Sequence, residues 1–344
     1  MKRLAIVAAL AVLATLPLWV RGTFYVNIAS QILLYAIFAL GVNVLAGYAG
    51  LVSLGHAGLF GIAAYAGLVS LGHAGLFGVA AYTGAKILTS GYGHVVVDTA
   101  ALAVTVAAAA VFAMLALRGT GLGFVMITVA LGQIVWGVAY RWISLTNGDN
   151  GISIPGRPSP FGLSLAAPKT FYWATLLVFL LALASMAVFV ASPFGAALRG
   201  TRDQPRRMSA LGYHVWMIRF VAFLFSGLWT GVAGLLYLYY HQFVSPQAVA
   251  LTASAEALLM VISGGTGTLL GPVVGAGLVV VVKNVASAYI ERWNFVLGAI
   301  FVLIVVFMPD GLVPGLARLA RRATAGWRPQ SAVAVAAPRE GTGR

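Results

Sequence analysis

Side chains able to do covalent chemistry are few in this chain, and none is spaced for it. There is no cysteine, so thiol catalysis, disulfides and thiolate-held metals are excluded. The five histidines show no metal-ligand spacing, and no HExxH occurs. The glycine-rich stretch 264–271 lacks the Lys and the following hydroxyl of a phosphate-binding loop. Two acids stand in or beside apolar runs: Glu256, a few residues into one, and Asp98, near the start of another. Such an acid either marks a path for solute or protons, or sits near a helix end where it caps or snorkels. No two carboxylates share a run. The residues therefore point away from an enzyme. They name no catalytic residue, no metal and no resident cofactor.

The elements that must position these residues are too apolar for water. Of 344 residues, 61% are hydrophobic and 8% charged, against about 45–50% and about 25% in soluble domains. Such a chain needs lipid as its solvent, so a soluble enzyme core, long disorder and collagen are excluded. The 21 Lys and Arg outnumber the 7 Asp and Glu, a formal charge of +14. The basic residues sit in short segments between apolar runs and at the ends, which is the pattern of topology charges. No basic stripe interleaved with aromatics appears, so a nucleic-acid partner is not expected.

A spanning helix needs about 20 apolar residues. Candidates are 4–20, 24–46, 59–88, 95–117, 122–142, 171–194, 218–240, 268–286 and 295–308. The first also reads as a signal peptide, with Lys2 and Arg3 as its charged start; a retained helix is favoured because no clean cleavage site follows. Basic clusters lie at Lys2 and Arg3, at Arg199 to Arg219, and from Arg318 onward. Placing all three in the cytoplasm requires an even number of crossings between them. A short apolar stretch, 251–265, supplies the missing crossing and ends in Ser263, Gly264 and Gly265. The expected fold class is an all-α polytopic membrane protein with about ten transmembrane helices, some broken, and both termini inside. Residues 1–317 form one transmembrane domain, 143–170 an outer loop, 195–217 an inner loop, and 318–344 a disordered basic tail. Gly-interrupted short segments persist in membranes where they are buried in protein or line a cavity.

A tandem repeat complicates the early chain. Residues 49–65 and 66–82 are identical except for Ile62 against Val79. Seventeen residues would lengthen a helix by roughly 25 Å, close to a full span. An added span would break the charge parity, so one copy is expected in the normal structural slot and the other as a re-entrant, looped or helix-extending segment. Gly47, Gly50, Gly55, Gly58 and Gly61 allow close backbone approach, either to solute or to neighbouring helices. Ser53 and Ser70 either line a path or bond their own i−4 carbonyls. His56 and His73 either meet solute or are packed and hydrogen-bonded.

Several motifs carry a resemblance. Asn43-Val44-Leu45-Ala46-Gly47-Tyr48-Ala49-Gly50, then Ser53-Leu54-Gly55-His56-Ala57, resembles the N-x-L-x-G-Y-x-G-x-x-S-L-G-H-A signature of branched-chain amino-acid ATP-binding-cassette (ABC) importer permeases of the M type (LivM-like). Leu145 to Gly151, with Asn147, Asp149 and Asn150, is similar to that family's L-T-x-G-D-N-G periplasmic loop. Ser192 to Gly195, Arg199, Arg202, Asp203, Leu211 and Gly212 are similar to its cytoplasmic coupling loop. Glu256 to Val261, Gly264-Gly265-Thr266-Gly267-Thr268 and Gly271-Pro272 match a further stretch, and Pro309-Asp310-Gly311-Leu312 matches the closing P-x-G-L. Two features depart from the family. The signature region occurs twice, with Gly72 and His73 in the second copy. Pro205 to Ser209 stands where relatives often carry a Glu followed by small residues.

The resemblance implies an importer permease of type II-like architecture in the bacterial inner membrane, with ATP hydrolysed by partner ABC ATPase subunits. It implies a second homologous permease subunit and a solute-binding protein as further partners. Asn43, Gly47, Tyr48, Gly50, Ser53, Gly55, His56, Ser70, Gly72, His73, Gly264 and Gly265 become candidates for the solute pathway. Arg199, Arg202, Asp203, Leu211 and Gly212 become candidates for ATPase coupling, and Asn147, Asp149 and Asn150 for docking the binding protein. Alternatives left open are a urea or short-amide permease of the same build, an ion-coupled transporter or channel, which sparse intramembrane acids disfavour, and a signalling scaffold.

Overall fold

A computed structural model of the chain describes residues 22–49, 70, 72–157, 165–289, 293–308 and 310–325, together with 13, 15–17 and 19. The described residues are helical almost throughout. Long helices are α1 (Thr23–Asn43), α2 (His73–Thr89), α3 (His94–Ala116) and α4 (Leu122–Arg141). After a short α5 (Ile143–Thr146) come α6 (Pro168–Ala191), α7 (Pro193–Asp203), α8 (Pro205–Ala210) and α9 (Val215–His241). The chain closes with α10 (Leu251–Gly264), α11 (Gly271–Tyr289), α12 (Trp293–Phe307) and α13 (Leu312–Ala325). Two two-residue strands, β1 (Ile152–Ser153) and β2 (Phe243–Val244), pair antiparallel.

Among the described residues, seven helical segments are long and apolar enough to cross a membrane; α10 is a shorter apolar helix. Every expected span that falls on described residues lands on a helix. The first, 4–20, lies largely outside them, as does most of repeat copy 1. From Gly72 onward, copy 2 is described, and it forms the buried start of α2.

The core is built on α9, which packs on α1, α2 and α3; α1 also packs on α6 and α11. These contacts are close because α9 carries small residues at helical spacing. A Cβ on Gly227 would strike Ala109, one on Gly231 would strike Thr105, and one on Gly234 would strike the Phe77 carbonyl. In lipid, where hydrophobicity gives no drive between helices, such close packing is what holds them together.

The segment expected to be the inner loop is a pair of helices. Ser192 caps α7 by accepting from Gly195 N at 3.2 Å, and Pro193 fills its first turn, where no N–H is needed. Pro205 ends α7 and starts α8. The tail also departs from expectation. Residues 318–325, expected to be disordered, belong to α13. Leu312, Leu316 and Leu319 recur at helical spacing among Arg318, Arg321 and Arg322, an amphipathic pattern that a helix satisfies.

Candidate functional site

Helices α10 and α11 form an antiparallel hairpin. Toward the ends remote from the turn, Lys283 Nζ of α11 donates to both oxygens of Glu256 on α10, at 3.3 and 3.1 Å. The pair is partly exposed, with 32% of the Lys283 side chain and 23% of that of Glu256 accessible. It opens on a cavity of about 240 Å³ between α1, α2, α9, α10 and α11. Thr252, Gln247, Ala248, Tyr35 and Tyr237 also line it. Neither a cap nor a snorkelling tail describes Glu256: its charge is matched inside the bundle.

Aromatic rings close the cavity's floor. Phe38 and Phe77 lie 4.8 Å apart, and Phe77 meets Tyr237 edge-on at 5.2 Å. Both phenylalanines are buried. One turn from Phe77, His73 is buried in the core. Its Nε2 lies 2.8 Å from Ser226 Oγ, its Nδ1 3.2 Å from Ser70 O, and its ring stacks on Phe223. Ser226 donates to Gly41 O at 2.6 Å, so its oxygen accepts from His73 Nε2–H. His73 therefore ties α2 to α9 and α1 as a packed, hydrogen-bonded histidine. Gly72 backs onto the Thr128 carbonyl, and Ala74 N donates to Ser254 Oγ at 3.0 Å, fixing α2 to α10.

At the opposite, arginine-bearing end, the hairpin turns through glycine. Gly265 and Gly267 have φ of 118° and 71°, values that favour residues without a Cβ. A Cβ on Gly264 would overlap the Gly271 carbonyl, and one on Gly275 the Met260 carbonyl. Backbone thus packs on backbone along this seam. Asn43, at the end of α1, clasps the turn: its Nδ2 donates to Thr268 O at 3.0 Å and its Oδ1 accepts from Gly267 N at 3.1 Å. Just beyond, Val44–Tyr48 form a π-helical turn, a form frequent at functional sites. Gly47 lies in it, against Gly267.

Arg202 of α7 reaches into this cluster and donates to Gly47 O at 2.9 Å. Arg199 donates to Val190 O at 2.8 Å, closing the end of α6, and Arg219 donates to Thr201 O at 3.3 Å. Two of the arginines expected to face a partner thus brace the chain's own backbone. Arg206 and Arg207 on α8 are exposed, as are Asp203, Leu211 and Gly212; Arg202 also keeps an exposed flank, its Nε 3.5 Å from Asp203 Oδ1.

The segment that follows α4 is ordered by short-range bonds. Asn147 takes a left-handed conformation (φ 62°) and donates to Gly151 O at 3.0 Å; Thr146 Oγ1 donates to Ala139 O at 2.8 Å. Asp149 and Asn150 remain exposed. Arg157 anchors the loop to α9 by donating to Tyr239 O and Tyr240 O at 3.2 and 3.3 Å, with its guanidinium 4.6 Å over the Phe171 ring. Burial lowers its pKa, while nearby Tyr240 opposes the shift.

Of the pathway candidates, Asn43, Gly47, Tyr48, Gly264 and Gly265 come together at the hinge, while Ser70, Gly72 and His73 form a separate packed cluster. Gly50, Ser53, Gly55 and His56 lie outside the described residues. Lys283 was missed. Its signal was present, as a lone base inside an apolar helix.

The sequence profile of the family described as "Branched-chain amino acid transport system / permease component" matches residues 65–305, opening on the last residue of the first repeat copy. The chain is 29% identical to the high-affinity branched-chain amino acid transport system permease protein LivM of Escherichia coli (strain K12), over 91% of this chain and 75% of that protein. It is 30% identical to LivM of Salmonella typhimurium with the same coverage. To LivH of Salmonella typhimurium, a permease protein of such a system, it is 24% identical over 50% of this chain and 59% of that one. No solved structure matches the chain. The helices, the glycine hinge and these similarities converge: the chain is a polytopic membrane transport subunit and belongs to the branched-chain amino acid transport permease family.

Proposed function

We propose that this chain is one permease subunit of an ATP-driven importer in a bacterial inner membrane, and that it passes branched-chain amino acids inward by alternating access. It crosses the membrane about ten times, with both termini in the cytoplasm and the arginine-rich α7–α8 pair on the same side. Separate ABC ATPase subunits hydrolyse ATP and press on α7 and α8; this chain supplies no cofactor chemistry. A second, homologous permease subunit completes the pathway, and a solute-binding protein delivers cargo to the loop carrying Asn147, Asp149 and Asn150.

The observation that carries the reading is a continuous line of bonds. Arg202 of α7 holds Gly47 O, and Asn43, one turn away, holds the Gly267–Thr268 turn. A push on α7 therefore reaches the α10–α11 hairpin through hydrogen bonds, without crossing a soft interface. Because Glu256 and Lys283 sit on that hairpin, the same movement rearranges the cavity wall. The Phe38–Phe77 floor, closed here, is the barrier such a movement must open.

Reconstitution in liposomes with the ATPases, the second permease and the binding protein tests this, using leucine, isoleucine, valine and urea. ATP-dependent uptake of the three amino acids is expected. Uptake by this chain alone, insensitive to ATP depletion, would instead assign it to gradient-driven transport.

A further inference from the structure

We infer that the Glu256–Lys283 pair is a way-station for a zwitterionic α-amino acid, Glu256 taking its ammonium and Lys283 its carboxylate. The inference rests on the importer reading above and adds the side chains that handle the solute's charges.

A pair of charges inside a membrane bundle is a poor device for stability. Desolvation offsets most of the attraction, and well-packed apolar residues of similar size often hold as well or better. The hairpin does not depend on the pair for its closure, because the backbone seam at Gly264, Gly271, Met260 and Gly275 already joins α10 to α11. The pair also faces open space: both side chains line the cavity.

An α-amino acid carries its two opposite charges on one carbon. Entering between Glu256 and Lys283, it exchanges one ion pair for two, and no net charge enters the membrane. A lone cation or a lone carboxylate satisfies one partner and strands the other, which is costly in this setting. A neutral amide such as urea satisfies neither charge. Phe38, Phe77 and Ala253 offer an apolar surface for the solute's side chain. The volume of about 240 Å³ falls below the roughly 300–1,000 Å³ of drug-sized sites, in keeping with a small solute.

The experiment uses the reconstituted complex and has two arms. In the first, Glu256→Gln and Lys283→Met are made singly and together. A purely structural pair predicts that the double variant recovers what the singles lose, since no stranded charge remains. A solute-holding pair predicts that the double variant stays at least tenfold below wild type in leucine uptake per assembled complex. Recovery to the wild-type rate would overturn the proposal. In the second arm, Ala253→Cys gives the cysteine-free chain a single thiol at the cavity wall. Saturating leucine is expected to slow its labelling by a small thiol reagent several-fold, whereas isocaproate and isoamylamine, each with one of the two charges, are not. Equal labelling with and without leucine would overturn the proposal even if the double variant fails to assemble. A wild-type complex that imports no amino acid would count against the importer reading, and the labelling arm would still decide the pair.

Discussion

Arg202 Nη1 lies 2.9 Å from the carbonyl oxygen of Gly47, joining an arginine-rich surface helix to a π-helical turn deep in the bundle. The contact carries direction as well as attraction, because a guanidinium bonds along fixed N–H vectors. Arg202→Ala should therefore uncouple transport more than it unfolds the protein. A coupling free energy of about 1–3 kcal/mol corresponds to roughly 5–150-fold, and uptake per ATP hydrolysed should fall within that range. Measuring leucine uptake and phosphate release together in the reconstituted complex checks it; an unchanged ratio would remove Arg202 from the coupling line.

Asn43 uses both ends of its amide on the hairpin turn. Asn43→Ala leaves Gly267 N without its acceptor, and an unsatisfied buried group costs about 1–3 kcal/mol. Asn43→Asp keeps the acceptor but loses the donor to Thr268 O. The thermal midpoint of the purified complex should fall for both variants, further for Ala.

The glycine seam should tolerate no side chain. Gly264→Ala places a methyl group on the Gly271 carbonyl, and backbone cannot swing aside as a side chain can. Its effect should appear as lost assembled protein. Gly137→Ala is the control: it lies in α4 with nothing within 4 Å of its Cβ position. There the better helix propensity of Ala, worth about 1 kcal/mol, should leave expression equal or higher.

Phe77 combines two roles, core packing and cavity floor. Phe77→Ala should cost about 3–5 kcal/mol by the usual price of such truncations. Phe77→Leu keeps most of the volume and should preserve assembly while weakening the floor. Leucine efflux from loaded liposomes without ATP is then expected to rise in Phe77→Leu relative to wild type.

Deleting 49–65 leaves one signature with both of its flanks, differing from deletion of 66–82 by one methylene at the Ile62 or Val79 position. Both deletions should retain ATP-dependent uptake within a few-fold of each other. Loss of uptake in a deletion that still inserts and assembles would assign the extra copy a function of its own.

Much of this fold could be read from patterns that lipid imposes on any sequence. Long apolar runs became α1, α3, α4, α6 and α9, and the short run 251–265 became α10, ended by the glycines that marked it. The hinge residues were legible because glycine and asparagine spacing has a backbone meaning. The charge pair was only half legible. Glu256 stood out, but its partner lies 27 positions further along the chain, and helix pairing, not local spacing, brings Lys283 opposite it. The backbone bonds of Arg199 and Arg202 were hidden for a similar reason: a basic cluster reads as an exposed label until the carbonyls within its reach are known. The helical start of the tail was masked by arginine-rich composition, although Leu312, Leu316 and Leu319 already kept helical time.

The backbone seam of the α10–α11 hairpin has a mechanical consequence. Where the two helices meet at Gly264, Gly271, Gly275 and Met260, carbonyls and α-carbons touch without intervening side chains, so the hairpin is expected to pivot as one stiff lever about its Asn43-held turn. Glu256 lies eight residues from Gly264, an arm of about 12 Å at 1.5 Å per residue. On such an arm a tilt of about 10° carries the charged tip by about 2 Å, enough to break one hydrogen-bonded contact and make another. A displacement at the turn too small to disturb its own bonds is thereby magnified where the charges lie.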